Sequence, residues 1–272
     1  MSNSILFHEK AIHYSFKGKG KAIILLHGFL ESKDLWNQFT EVLSDEFLTV
    51  SIDLPGHGAS ENLKEIHSMD LMAEAVNHII THLNIGKCVL LGHSLGGYVA
   101  MAFAENYPNK LQGLVLFHSQ AGADSFDAKV NRERVILLVQ KDKTRFIKNY
   151  IPELFAPVNV HRFSAEIDKL KEQALLAKKP GIIAALKGMR DRPDRRQVLN
   201  DISKPVLFII GKEDRKIPMQ VILDQVSLPQ HSEMLLLHHV GHMGMLEAAR
   251  ITSKVVWDFS KRCYSEASMV IK

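Results

Sequence analysis

Cysteine is scarce, with two in 272 residues. Cys88 sits inside an apolar stretch and Cys263 near the end, which suits buried or incidental thiols and excludes a disulfide framework. An excess of charge of one sign is small as well: 34 Lys and Arg against 30 Asp and Glu leave +4. That balance argues against a nucleic-acid partner, and no basic run is interleaved with aromatics. No apolar run approaches the roughly 20 residues that cross a bilayer, so no membrane partner is expected. The opening Met1–Lys10 has neither a charged first part nor a long apolar second part, so a cytoplasmic chain without a signal peptide is the expectation. The glycine-rich stretches hold neither a P-loop nor a G-x-G-x-x-G after the first strand. His57 and the histidines of 238–242 lack a partnered acid or cysteine at ligand spacing. Neither a cofactor nor a metal is called for, and there is no internal repeat.

What is present is a rhythm of strands and helices. After a loosely alternating stretch over 4–17, with Ile5, Phe7, Ile12, Tyr14 and Phe16 as inward candidates, come the apolar runs 22–26, 47–53, 88–91 and 111–117. Amphipathic helices lie between them: one capped by Asp34 and carrying Leu35, Trp36, Phe39, Val42 and Leu43, another opened by Asp70 and carrying Leu71 to Leu83. Strands apolar throughout are covered on both faces, so an α/β fold with a doubly wound, mostly parallel sheet is expected. The rhythm breaks after the strand at 111–117 and resumes at 205–210 and 233–237, before a last helix with Ile251, Val255, Val256 and Phe259. Residues 1–118 and 201–272 therefore read as one core, and 119–200 as a helical excursion inserted after the sixth strand. Between Ser119 and Gln197 stand 17 Lys/Arg against 10 Asp/Glu, a net of 17 − 10 = +7. Solvated helix faces account for such a run, and attraction of an anionic substrate is the functional alternative.

The chemistry gathers at one stretch. The apolar run ending at Leu91 leads into Gly92-His93-Ser94-Leu95-Gly96, and helix formers follow until Pro108. A strand, G-x-S-x-G and a helix make a nucleophile elbow, a turn so sharp that the residues two positions either side of the serine must be very small. The turn exposes the Ser94 hydroxyl at the carboxyl edge of the sheet and leaves the Leu95 N–H aimed at whatever that hydroxyl attacks. Ligands of an open α/β sheet bind beyond the carboxyl ends of its strands. The polar residues there are His27-Gly28-Phe29, Ser94, Gly211-Lys212-Glu213-Asp214 and Gly241-His242. Serine, aspartate and histidine thus stand in chain order.

Over nearly its whole length the sequence resembles the α/β-hydrolase superfamily, of the serine, cap-bearing, carboxylesterase-like kind. The resemblance rests on H-G-F-L-E-S (27–32), D-L-P-G-H-G-A-S (53–60), G-H-S-L-G-G (92–97), G-K-E-D-R-K-I-P (211–218) and V-G-H-M-G (240–244). It implies Ser94 as nucleophile, His242 as base and Asp214 as its partner, with the N–H groups of Phe29 and Leu95 as the oxyanion hole. Glu213 is the neighbour competing with Asp214. Asp124 lies several residues past the other strand end where some members carry their acid. Gly28, His93 and His118 are candidate lining residues. His238 and His239 read as packing or solvent-exposed, and Asp53 as a loop cap. The resemblance makes 119–200 a cap, with Phe126, Val130, Ile136 and Phe155 candidates for an apolar pocket.

The implied reaction is hydrolysis of a small, apolar carboxylic ester or lactone through an acyl-enzyme, with no cofactor. A triad-dependent C–C hydrolase or lyase and a cofactor-free perhydrolase are alternatives. H-G-F-L with D-L-P-G-H-G is similar to the lyases of menaquinone synthesis, but those tend to carry Arg where Tyr98 follows Gly96-Gly97. A non-catalytic small-molecule receptor on the same fold is the alternative of another class.

Overall fold

The computed structural model describes residues 2–265. Eight strands form one sheet: β1 (Ser2–Phe7), β2 (Lys10–Lys17), β3 (Lys21–Leu26), β4 (Phe47–Ile52), β5 (Cys88–His93), β6 (Leu111–Phe117), β7 (Val206–Gly211) and β8 (Ser232–Leu237), in the order β1-β2-β4-β3-β5-β6-β7-β8. From β4 through β8 all neighbours are parallel, and β1 and β2 join antiparallel at one edge. The pattern follows burial. β5, β6 and β7 are buried at every position, as runs apolar throughout require. β1 and β2 alternate, with Phe7, Ile12 and Tyr14 inward; Phe16, on the same side of β2 as Ile12 and Tyr14, is exposed at the end of the strand, beyond the last residue paired with β1. β8 closes the other edge and exposes Ser232–Met234.

Helices α1 (Asn37–Leu43) and α10 (Ala249–Ser265) pack on each other, as do α2 (Met69–His82) and α3 (Leu95–Asn106). Two caps differ from expectation. Ser68, not Asp70, caps α2, its hydroxyl accepting from the Leu71 N–H at 3.1 Å; Asp70 instead meets Arg195 at 2.6 Å. Ser32, not Asp34, precedes the first turn after β3, which is a 3₁₀ turn running into α1. Val42 and Ile251 lie exposed at the margins of their apolar stripes. Asp53 does cap its loop, accepting from the N–H groups of Lys33 and Ala59. Cys88 and Cys263 are both buried.

Between β6 and β7 the chain leaves the sheet and forms α4 (Phe126–Tyr150), α5 (Ser164–Leu176), α6 (Lys179–Arg190) and α7 (Arg196–Asp201). α4 departs from helical geometry at Asp142, whose carboxylate then accepts from the Arg145 N–H and restarts the helix. The remaining helices, α8 (Met219–Val226) and α9 (Gly244–Glu247), follow β7 and β8. Among the described residues no helix is long and apolar enough to cross a membrane.

Candidate active site

The carboxyl ends of β3, β5, β7 and β8 bring the polar loops of the sequence together. Ser94 stands between β5 and α3 with φ 50° and ψ −113°, a conformation L-residues rarely hold. Close packing imposes it. A Cβ on Gly92 would lie 2.2 Å from the Gly96 carbonyl oxygen, and one on Gly96 would lie 2.5 Å from that of Leu26. Only glycine at both positions lets the strand turn into the helix against β3. The Ser94 carbonyl accepts from the Gly97 N–H at 2.9 Å and the Ser119 hydroxyl at 2.8 Å, which pins the turn from within and from the end of β6. The Leu95 N–H, first in α3, has no acceptor inside its helix.

The Gly28–Phe29 peptide is held just as firmly. His27 Nε2 accepts from the Leu54 N–H at 3.0 Å, so the ring's proton sits on Nδ1 and is donated to the Gly28 carbonyl at 2.8 Å. Burial keeps this imidazole neutral, its pKa lowered despite the nearby carboxylates of Asp53 and Glu31. Fixing the carbonyl fixes the Phe29 N–H on the same peptide plane.

Asp214 follows β7 and is buried. One oxygen accepts from the N–H groups of Lys216 at 2.8 Å and Ile217 at 3.0 Å; the other faces His242 Nδ1 at 2.7 Å and His118 Nδ1 at 3.2 Å. Burial alone would raise this carboxyl. The charge of His242 and the hydrogen bonds from His118 and His242 outweigh it and hold the group well below the usual carboxylate range. Glu213, one residue earlier, pairs with the exposed His239 at 3.0 Å instead.

His118 and His93 were candidate lining residues, as was Gly28, and the structure places all three behind the cavity wall, not on it. His118 Nε2 accepts from the Gly244 N–H at 3.2 Å, which leaves the proton on Nδ1 for Asp214. That choice is better than the opposite tautomer, which would satisfy the Gly211 N–H at 3.3 Å but set a lone pair against the carboxylate. Burial pushes His118 down to about 4, so it serves as a neutral donor. The ligand atoms of His118, Asp214 and His242 lie within 4.8 Å of one another. Both Nδ1 protons are already committed to Asp214, so hydrogen bonding accounts for the cluster without an ion.

Glu247, which sequence reasoning passed over, organises the histidine loop. One oxygen accepts from Gly241 and Met243, the other from the Ala156 N–H and the Asn159 side chain, tying that loop to the segment inserted after β6. The His242 N–H adds a 2.6 Å bond to the Leu154 carbonyl. Its only sequence signal is a glutamate four residues after Met243, at the end of a very short helix.

Ser94 opens into a cavity of about 1340 Å³ shared with Phe29, Tyr98, Tyr150, Leu186 and Met189. The expected apolar wall is absent from where it was sought. Phe126 and Val130 are 80% and 53% exposed on the outer face of α4, while Ile136 and Phe155 are consumed in the packing beneath. α4 turns its charged side inward instead. Arg132 meets Asp124 at 3.0 Å, and Arg192 meets the same carboxylate at 2.6 Å while lying 3.9 Å from the Tyr98 ring centroid. Two guanidinium groups on one carboxylate leave one positive charge beside the elbow's helix.

Fold and site together define a class of protein, and comparison with known proteins agrees. The family model described as alpha/beta hydrolase fold matches residues 21–249, and the chain belongs to that family. It is a hydrolase. An esterase from Thermogutta terrifontis, solved with malate bound, is 32% identical over 93% of this chain and 94% of its own, with a TM-score of 0.88. A 2-hydroxy-6-oxononadienedioate/2-hydroxy-6-oxononatrienedioate hydrolase from Burkholderia vietnamiensis is 27% identical over 93% of this chain and 92% of its own. The enol-lactonase of Burkholderia xenovorans is 19% identical with a TM-score of 0.88, covering 94% of this chain and 99% of its own, a likeness of fold.

Proposed function

We propose that the protein hydrolyses a small carboxylic ester or lactone through an acyl-enzyme on Ser94. The observation that carries this reading is the 2.7 Å bond between His242 Nδ1 and Asp214, with the His242 ring 4.9 Å from that of His93, the residue before a serine held at φ 50° in the wall of a large cavity. A serine hydroxyl attacks only when a base removes its proton. In this reading Ser94 Oγ bonds to the substrate carbonyl carbon as its proton passes to His242 Nε2. The carbonyl oxygen becomes an oxyanion, met by the Phe29 and Leu95 N–H groups. Collapse expels the alcohol with the proton from His242, and a water deprotonated by the same ring then frees the acid and Ser94. Asp214 keeps the Nδ1 tautomer and stabilises the imidazolium. Residues 119–200 act as the cap over this site, and no cofactor enters the reaction.

The test is turnover of p-nitrophenyl acetate, butyrate and octanoate by wild type and Ser94→Ala, with a fluorophosphonate probe labelling Ser94. Activity equal in the two proteins, or labelling that survives the substitution, sinks the reading.

A second reading, C–C bond hydrolysis on a carboxylate-bearing substrate, is favoured by the Arg132–Asp124–Arg192 cluster in the cavity and by the relative that acts on a dioate. Turnover of a 2-hydroxy-6-oxo-dienedioate by wild type, faster than that of any neutral ester, would select it.

A further inference from the structure

One buried pair is left over from this chemistry. Glu31, after β3, and His93, the last residue of β5, meet at 2.9 Å with side chains 2% and 0% exposed. Neither lines the cavity. Each is nevertheless bonded to a residue next to, or within, the proposed machinery. Glu31 Oε2 accepts from the Gly28 N–H at 2.5 Å as well as from His93 Nδ1. His93 Nε2 lies 2.9 Å from the backbone carbonyl of His242. A Cβ on Gly28 would sit 2.7 Å from both Glu31 Oε2 and His93 Nδ1, so only glycine fits where the loop closes on the pair.

The partners fix the charge state. A carbonyl oxygen only accepts, so His93 Nε2 carries a proton. The Gly28 N–H bonded to Glu31 Oε2 favours the carboxylate form, and against burial the two pKa values move apart, Glu31 down and His93 up, so the proton between them rests on His93 Nδ1. The ring is an imidazolium and Glu31 a carboxylate. Sheet pairing cannot join these loops, because β5 and β8 are separated by β6 and β7. Their relative placement falls to side chains.

We infer that the Glu31–His93 ion pair is the positioning device that sets the oxyanion loop and the elbow against the histidine loop, and that hydrolysis requires His93 to be charged. The inference rests on the Ser94–His242–Asp214 reading and deepens it: the pair touches no reacting atom and acts through Gly28, Ser94 and His242. Loss of one proton from His93 surrenders either the bond to His242 or the bond to Glu31, and the buried carboxylate then faces a neutral ring. Other titratable groups around the pair are His27 and Tyr150 on the Glu31 side and Asp214, His118 and His242 on the His93 side. Although burial works against charge on His93, Glu31 and Asp214 raise its pKa overall, and His93 lowers that of Glu31. His27 and His118 are held neutral and add no competing charge.

The first test needs no variant and no substrate. In wild-type protein labelled with ¹⁵N-histidine and assigned through the backbone, long-range ¹⁵N–¹H correlation at pH 8 should show both His93 nitrogens protonated. The pattern of a neutral tautomer at that pH overturns the inference, whatever becomes of the hydrolase reading. The second test is Glu31→Gln on p-nitrophenyl butyrate. Displacement of loops by ~1 Å costs up to about 10²-fold, so a fall in kcat of about 10- to 100-fold is expected with KM within about twofold. The alkaline decline of kcat should also move to lower pH. Wild-type kcat with an unmoved alkaline limb means that the pair only packs. If Glu31→Gln does not fold, the charge state read in the intact protein decides alone. If wild type turns over no ester at all, the hydrolysis reading fails by itself, and the nitrogen spectrum still answers for the pair.

Discussion

At the scale of single residues, the choice between two adjacent acids is made by what each side chain meets. Asp214 collects two backbone N–H groups and two imidazoles in a buried setting, whereas Glu213 meets one exposed histidine. Asp214→Asn should lower kcat by about 10³- to 10⁴-fold, because the histidine loses the tautomer its role needs. Glu213→Gln should stay within about threefold in the same ester assay; the opposite ranking would reassign the acid. His118 is separable by its conservative replacement. Removing a hydrogen bond to a charged group costs about 1.5–3 kcal/mol, so His118→Phe should lose about 10- to 100-fold in kcat at unchanged KM. His118→Gln, which keeps a donor of similar reach, should recover most of it. Equal loss in both variants would make His118 a packing residue.

At the scale of elements, the strand-to-helix turn from β5 to α3 stores strain at Ser94. A non-glycine residue held in a sparsely populated region costs about 1–3 kcal/mol, part of which glycine would forfeit through its own unfolded-state freedom. Ser94→Gly is accordingly expected to be more stable than Ser94→Ala by about 1 kcal/mol while both lack activity, measured by urea unfolding. Indistinguishable midpoints would show the turn to be unstrained. The inserted helices follow different rules. Their apolar residues are divided between an outward stripe, Phe126 and Val130, and an inward one, Ile136, Val139 and Ile147, while the kink at Asp142 separates the two halves of α4. Phe126, Val130 and Ile136 all precede that kink, and which of them meets the cavity is set by how α4 packs on α6, which periodicity along one helix does not report.

At the scale of the whole molecule, buried histidines whose pKa burial depresses, His27 among them, weigh on acid stability. Burial pushes His57 to about 3, His67 to about 4 and His118 to about 4, all below the ordinary 6.5. A group depressed on folding contributes stability that is present above its unfolded pKa and lost as pH falls through the interval down to the folded value. Below pH 6.5 each histidine therefore costs about 1.4 kcal/mol per pH unit until its own folded pKa is reached. Asp214, depressed from 3.8, adds to the loss only further down. Urea unfolding between pH 7.5 and 5 should show stability falling with proton uptake. His118→Gln should flatten the slope by about one proton, and a flat wild-type profile would contradict the burial of neutral rings.

The strands and the turn from β5 to α3 were legible because each is local: apolar runs report burial, and G-x-S-x-G reports a turn that tolerates no side chain two positions from its serine. Position past a strand end singled out His118, and the elbow motif with its family resemblance singled out His93, both as lining residues. Their actual places depend on contacts across the sheet, His118 on the acid from β7 and His93 on a loop from β8. Glu31 stands inside the H-G-F-L-E-S stretch and Glu247 at the end of a short helix, but nothing local marks either as buried, since a buried carboxylate is specified by the donors that converge on it from distant segments. The cavity wall was hidden for the same reason. Local pattern sets which residues avoid water, and only the packed helices decide which of the rest face Ser94.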